Sequence, residues 1–330
     1  RRQPRWAVSG LAAGALPDLL EGADLPGWAR AVASLRTDLV DLLARHGLDP
    51  AAVLDLSASL NPVAPDAGEV VGKHLDEVGR YPDCARATAA LAEAIGVERR
   101  RLLLTNGGAE AIALVASEAG SGWVEDPDFS LYRRHLARVE PGAPRWRSNP
   151  HNPTGLLAGP DARAAVWDEA FYPLATGTWT RGEAERGAVV VGSLTKVFAC
   201  PGLRLGYVVA PDEALIDRLS RRQPRWAVSG LAAGALPDLL EGADLAGWAA
   251  AVASLRGELV DLLARHGLHP QPSQSNFVLV AGAGGLRDRL LPHGVVVRDC
   301  ASFGLAGCAR VAVPDADGMA RLAAALEASA

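Results

Sequence analysis

The chain has 330 residues, 49% of them hydrophobic, 22% charged and 5% aromatic, with 33 basic against 38 acidic side chains and a net charge of −5. That length buries a full core, as one large and one small domain, and the composition excludes disorder, a coiled coil and a disulfide-stapled miniprotein. The acidic balance is the reverse of what a nucleic-acid binder carries, so no nucleic-acid partner is expected. Within the basic count only Lys73 and Lys196 are lysines; every other basic residue is arginine.

Cys84, Cys200, Cys300 and Cys308 are far apart and form no C-x-x-C, which points to a reduced, cytosolic setting. No apolar run reaches membrane-spanning length and the first residues do not read as a signal peptide, so no membrane partner is expected. The chain opens on Arg1 and holds one methionine, Met319, which places the natural start upstream. His266 and His269 are the only close histidine pair; beside a helix end and a proline, they read as surface or capping residues rather than metal ligands.

Residues 1–50 and 221–270 are the same segment, differing only at Pro26/Ala246, Arg30/Ala250, Thr37/Gly257, Asp38/Glu258 and Asp49/His269. Two distant copies do not make a solenoid; they read as a partial duplication, the alternative being that the leading copy displaced the original N-terminus or takes part in domain swapping. Each copy reads as helical: VSGLAAGALPDLL, a Gly/Asp break, and then GWARAVASLRTDLVDLLARHG. That last stretch aligns Trp28, Val32, Leu35, Leu39 and Leu42/Leu43 on one face and stops at Gly47. The second copy, between two strand-like runs, is expected to be the long connector between the domains.

From Asp55 onward strands and helices alternate. RLLLTNGG predicts a strand and glycine turn, AEAIALVASEAG a helix, GWVEDP and RWRSNP short strands, AAVWDEAF another, and AVVVGSLTK the clearest strand of all. LGYVVAPD, NFVLVAG, GVVVRDC and ARVAVPD supply further strands, and helices are expected at GLRDRLLPHG and GMARLAAALEA. The pattern predicts an α/β domain with a mostly parallel sheet and its ligand site at the carboxyl ends of the strands, followed by a smaller α+β domain. The expected divisions are 1–50, the duplicated segment; 51–215, the large domain; and 216–330, the connector helices and small domain.

Those strand ends carry chemistry. Lys196 follows the buried run AVVVG, where a half-dry amine has a lowered pKa and attacks a carbonyl; a solvated loop lysine is the alternative. Lys73, among charged neighbours, reads as surface. Thr105-Asn106-Gly107-Gly108 opens a strand through glycines into a helix whose free N–H groups suit a phosphate, or simply makes a turn. Asp168 ends a buried strand, as the partner of a cation or as a helix N-cap, and Arg204 offers a guanidinium for a phosphate. A phosphate, a ring cation and an aldehyde-reactive lysine together describe pyridoxal phosphate.

In order and company, SLTKVFACPGLRLGY, SNPHNPTG, VWDEAF and TNGGAEAI resemble the pyridoxal-phosphate enzymes of the aspartate-aminotransferase fold, over roughly residues 51–330. The nearest branch resembles histidinol-phosphate aminotransferase and threonine-phosphate decarboxylase. The resemblance implies a pyridoxal-phosphate transferase fold, α/β with a mostly parallel sheet in the large domain and a smaller α+β domain, and pyridoxal 5′-phosphate as cofactor. It implies Lys196 as the lysine that carries the cofactor and later moves the proton, Asp168 as partner of the pyridine nitrogen, and Asn152 as donor to the ring hydroxyl oxygen. Ser193, Arg204 and the N–H groups of Gly108 and Ala109 would hold the phosphate, and Phe129 would stack on the ring. Tyr81 would reach the neighbouring subunit's phosphate, making the active unit a homodimer. Arg310 would clamp the substrate α-carboxylate, and Arg298 the substrate phosphate. Asn61, in LDLSASLNP, falls on the substrate side.

Phe171, three residues after Asp168, favours the decarboxylase, since the aminotransferases usually carry tyrosine there. The expected substrate is a phosphorylated amino acid or amino alcohol, foremost threonine phosphate. Histidinol phosphate is the alternative, and a non-catalytic interaction module is the alternative of another class. The spacings from Tyr132 to Asn149 and from Gly155 to Asp168 are short for the family and predict that a strand or helix of the large domain is lost.

Overall fold

The computed structural model describes Leu43, residues 47–49 and residues 52–329; the expectations for residues 1–42 lie outside them. In chain order come β1 (Leu54–Leu56), α1 (Ala67–Gly72), α2 (Ala85–Ile95), β2 (Leu102–Asn106), α3 (Gly107–Ala119) and β3 (Ser121–Val124). Next are α4 (Leu131–His135), β4 (Arg138–Val139), β5 (Arg145–Ser148), β6 (Val166–Asp168), α5 (Tyr172–Thr176), β7 (Val189–Ser193), α6 (Leu194–Val197) and β8 (Leu205–Val209). The duplicated segment's second copy supplies the end of α7 (Glu213–Arg222), α8 (Gly230–Glu241), α9 (Leu245–Arg265) and β9 (His269–Pro270). The chain finishes with β10 (Phe277–Ala281), α10 (Leu286–Leu290), β11 (Val295–Asp299), β12 (Ala309–Ala312) and α11 (Ala316–Ala328).

Among the described residues, seven strands form one sheet in the order β2-β8-β7-β6-β5-β3-β4, parallel except for β8, which is antiparallel to both neighbours. Both faces are covered, and the side chains alternate accordingly. Leu102, Leu104, Val190, Tyr207 and Val209 face a core shared with Leu91 of α2 and Leu236 of α8. Val191, Val208 and Val166 face another shared with Ile112 and Val115 of α3 and Leu219 of α7. Across the short spacings noted in the sequence, β4 and β5 lie between Tyr132 and Asn149, and β5 passes to β6 through residues 149–165, which carry no helix.

The second sheet runs β1-β11-β12-β10-β9. β1, from residues 51–215, joins it by pairing in parallel with β11, so this sheet draws on both ends of the described chain. In the other direction, α8 packs into the large-sheet core although it lies in 216–330. Ser229 and Asp244 start α8 and α9 by accepting from the N–H groups of Ala232 and Gly247. The 21 residues of α9 then bridge the two bodies: Leu245 and Trp248 lie in the large-sheet core, and Leu259, Leu262 and Leu263 lie in the core of the second sheet.

The described end of the first copy repeats the local geometry of the second. Leu48 N–H donates to Leu43 O at 3.0 Å and Leu268 N–H to Leu263 O at 3.1 Å, with Gly47 and Gly267 in the left-handed region at φ 66° and 72°. Leu43 and Leu263 are both fully buried, but in different places. Leu43 packs with Leu48 and Val53 against Leu291 and Val296, whereas Leu263 belongs to the core under β10 and β11.

Candidate active site

Sheet topology gathers the site. β5, β6 and β7 are parallel, and β2 and β7 flank the reversed β8, so β2, β5, β6 and β7 all end at one edge, where β8 begins. The register sets Ser148 beside Asp168, Ser193 beside Gly206 and Asn106 beside Leu205. Arg204, immediately before β8, reaches the same edge.

At that edge the start of α3 forms a cradle. Gly107 has φ 76°, and a Cβ there would collide with the Arg204 guanidinium; a Cβ on Gly206 would collide with the Gly107–Gly108 backbone. Only glycines allow strand, helix and arginine to approach this closely. Asn106 gives α3 no side-chain cap, leaving the first N–H groups for another acceptor. Arg204 Nε is buried without a partner among the described residues, and burial holds the guanidinium below its usual pKa. Ser193 closes the cradle: its Cβ would be 3.1 Å from one placed on Gly108, and its Oγ lies 2.8 Å from Thr195 Oγ1. A buried cation, an uncapped helix and a hydroxyl make an anion site.

Asp168, 9% exposed, ends β6. Its Oδ1 accepts from Ala170 N–H at 3.0 Å and its Oδ2 from Tyr132 O–H at 2.8 Å. Burial pushes its carboxyl up to about 6; those two donors, and the charge of Lys196, pull the other way. A buried carboxylate of this kind is stabilised by a cation placed against it. The next residue, Glu169, points to a different environment: its carboxyl accepts from Arg181 N–H and burial pushes it up to about 7.

Lys196 lies on α6, one turn beyond β7, half-buried and close enough to act on Asp168 electrostatically. Asn61 N–H donates to Lys196 O at 3.0 Å, and the Asn61 amide is used twice more, donating to Val197 O at 2.9 Å and accepting from Val63 N–H. Asn61 thus pins the opening loop to the lysine turn. Nearby, Ser59 is fully buried at φ 52°, in the left-handed region.

Arg310, on β12 and 6% exposed, donates to Asn152 Oδ1 at 2.5 Å and to Ser57 O at 3.1 Å, with its guanidinium 4.6 Å from the centre of the Phe277 ring. Directly across the strand pair stands Arg298, which donates to Ser302 Oγ at 2.9 Å and lies over Phe303. Like charges opposite one another destabilise a sheet, so the pair concentrates positive charge at this point. Phe129 is half-buried, edge-on to Tyr132 at 5.8 Å. Tyr81 stands apart from these residues: 77% exposed, it stacks on Trp226 at 4.4 Å. Lys73 is exposed at the end of α1. The His266 N–H caps α9, and among the described residues no group of His, Cys, Asp or Glu is arranged to hold a metal ion, nor is any helix long and apolar enough to cross a membrane.

Three residues of the site did not announce themselves in the sequence: Tyr132, Ser148 and Asp128. Ser148 Oγ donates to Asp128 Oδ1 at 2.5 Å and accepts from Asn152 N–H at 2.8 Å. What signal there was lay in DPDFSLY, which holds Asp128 and Tyr132, and in RWRS, which Ser148 closes.

The residues fit a group with a phosphate at one end and a ring cation at the other: the glycine cradle with Arg204, whose Nε lacks a partner among the described residues, at one side, the buried Asp168 at the other, and Lys196 between them in the chain. Comparisons with known proteins agree. Residues 146–326 match the family described as aminotransferase class I and II, whose members depend on pyridoxal phosphate. The chain is 30% identical to threonine-phosphate decarboxylase of Salmonella typhimurium over 85% of this chain and 92% of that one. It is 28% identical to histidinol-phosphate aminotransferase 1 of Dechloromonas aromatica, over 88% and 93%. Its fold matches the crystal structure of histidinol-phosphate aminotransferase from Sinorhizobium meliloti in complex with pyridoxal-5′-phosphate, with a TM-score of 0.77 at 19% identity, covering 93% of this chain and 98% of that one. This chain belongs to the pyridoxal-phosphate-dependent aminotransferase class I and II family.

Proposed function

We propose that this protein uses pyridoxal 5′-phosphate to decarboxylate a phosphorylated amino acid, with L-threonine O-3-phosphate as the substrate. The observation that carries the reading is the Arg298–Arg310 pair, two cations opposed across β11 and β12 with Asn152 beside them. A substrate with a carboxylate and a phosphate on a short skeleton offers one anion to each.

When bound, the cofactor supplies an aldehyde that condenses with an amine and a ring that draws electrons from the bond being broken. The protein does the rest. Ser193, Arg204 and the N–H groups of Gly108 and Ala109 bind the cofactor phosphate; Asp168 accepts from the ring N–H and keeps it protonated. Asn152, its Oδ1 taken by Arg310, has its Nδ2 to donate to the ring hydroxyl oxygen, and Phe129 covers the ring. Lys196 would hold the aldehyde carbon through its Nζ and would carry the proton that replaces the lost carboxylate. Arg310 would fix the substrate carboxylate and Arg298 its phosphate, so together they would set how the substrate is oriented. Tyr81, exposed beside Leu75 and Val78, would reach a neighbouring subunit's phosphate in a homodimer.

The alternative within the family is transamination of histidinol phosphate, favoured by relatives of that name as similar as the decarboxylase. A non-catalytic interaction module is disfavoured because Lys196, Asp168, Asn152, Ser193 and Arg204 are all intact. Purified holoprotein is offered threonine phosphate alone, and separately histidinol phosphate with 2-oxoglutarate. Release of carbon dioxide from the first supports the reading; amino transfer in the second with no carbon dioxide from the first replaces it with the alternative.

A further inference from the structure

Behind Asp168 lies a buried group of polar side chains, Tyr132, Ser148 and Asp128, that also takes backbone N–H groups. Tyr132, 1% exposed on α4, donates to Asp168 Oδ2 at 2.8 Å. The Tyr132 hydroxyl also lies against the Ser148 hydroxyl. Ser148 donates to Asp128 Oδ1 at 2.5 Å, while the Ser148 and Phe129 N–H groups hold the Asp128 carboxylate at 3.1 and 2.7 Å. Ser148 Oγ further accepts from the backbone of Asn152, whose side chain meets Arg310. Each of the two buried carboxyls thus takes the proton of one hydroxyl, Asp168 that of Tyr132 and Asp128 that of Ser148.

The geometry is costly without a purpose. A phenylalanine at 132 would fill the same apolar space beside Trp146 and Phe129 and would spare the burial of a hydroxyl. Instead the hydroxyl is aimed at one oxygen of the residue that faces the cofactor ring. Among the described residues the titratable groups that act on that carboxylate are Tyr132 from α4, Lys196 from α6, Tyr207 from β8, and Asp128 from the loop before α4, the last with His151 on its own far side.

We propose that Tyr132 is a positioning residue which, packed beside the Ser148–Asp128 pair, holds the Asp168 carboxylate oriented and ionised toward the cofactor ring nitrogen. This rests on the reading that Asp168 pairs with that nitrogen. The Tyr132 O–H favours the carboxylate form of Asp168 and the negative Asp128 opposes it, so the proton shared with the ring is set by the balance of the two.

The test is nitrogen NMR of holoprotein loaded with cofactor labelled at the ring nitrogen, together with the cofactor dissociation constant. Tyr132→Phe is expected to move the ring-nitrogen signal toward its unprotonated position and to weaken cofactor binding roughly tenfold, the worth of one hydrogen bond to a charged group. Adding Asp128→Asn to that variant is expected to move the signal back. Weaker binding with an unmoved signal is what a tyrosine that merely packs would give, and it overturns the proposal. Should Tyr132→Phe not fold, Ser148→Ala must move the signal in the same direction by less, and an unmoved signal there overturns it equally. Wild-type protein whose ring nitrogen is unprotonated, or which takes up no cofactor, overturns this proposal and the Asp168 reading together; a protonated wild type with an unresponsive Tyr132→Phe removes this proposal alone.

Discussion

The two sheets bring different kinds of residue to the site. At the edge of the large sheet, positions are set by backbone: strand ends in register, a helix start, and glycines that let Arg204 close on Gly107. Across β11 and β12 they are set by side chains: two arginines face one another, and Arg310 reaches Asn152 and Ser57. The first region suits any reaction that needs a bound phosphate and a ring cation. On the proposed reading the second carries choice of substrate, a like-charged pair in a sheet being a cost that binding an anion offsets.

Crossing the two regions separates their roles. Arg298→Ala is expected to lower kcat/KM for a phosphorylated substrate by roughly a hundredfold, the loss of a charge-assisted bidentate contact. It leaves cofactor affinity unchanged and, by relieving the opposed charges, does not lower the melting temperature, and an analogue lacking the phosphate shows no loss. Gly107→Ala acts the other way. With φ 76° and Arg204 against the new Cβ, it is expected to weaken cofactor binding by roughly tenfold or more for every substrate, strain at such a position costing about 1–3 kcal/mol. Equal effects of Arg298→Ala on both analogues would end the division of labour.

A smaller effect lies behind the cofactor edge. Glu169 and Asp168 are both held above their ordinary carboxyl range by burial, at about 7 and about 6. A carboxyl whose folded pKa is raised favours the folded state only while protonated. Cofactor-free protein is therefore expected to lose stability as pH rises from about 4 through 7, by about 3 kcal/mol for each group at most. Glu169→Gln should flatten the upper part of that slope in thermal melts, whereas cofactor should flatten the lower part by giving Asp168 its cation.

Much of this was legible in the sequence because period-two and helical patterns survive in RLLLTN, AVVVGS and the second copy, and because scarce lysine draws the eye to Lys196. The pairing of Arg298 with Arg310 was not, since register between strands a dozen residues apart depends on the hairpin between them. Tyr132 was hidden for a similar reason: its function exists only where α4 meets the end of β6. Nor did the sequence tell that β1 would cross to the second sheet, or that Leu43 and Leu263, identical in context, would be buried against different partners. In both cases tertiary packing chooses among surfaces that local pattern leaves equivalent.

The central claim is that Lys196 carries the cofactor at the edge built by Asp168, Ser193 and Arg204. Borohydride reduction of the holoprotein, followed by peptide mapping, tests it directly. The account predicts the cofactor fixed on the peptide containing Lys196, and no fixed cofactor in Lys196→Ala. Fixation on Lys73, or a protein that stays colourless with added pyridoxal phosphate, would contradict it.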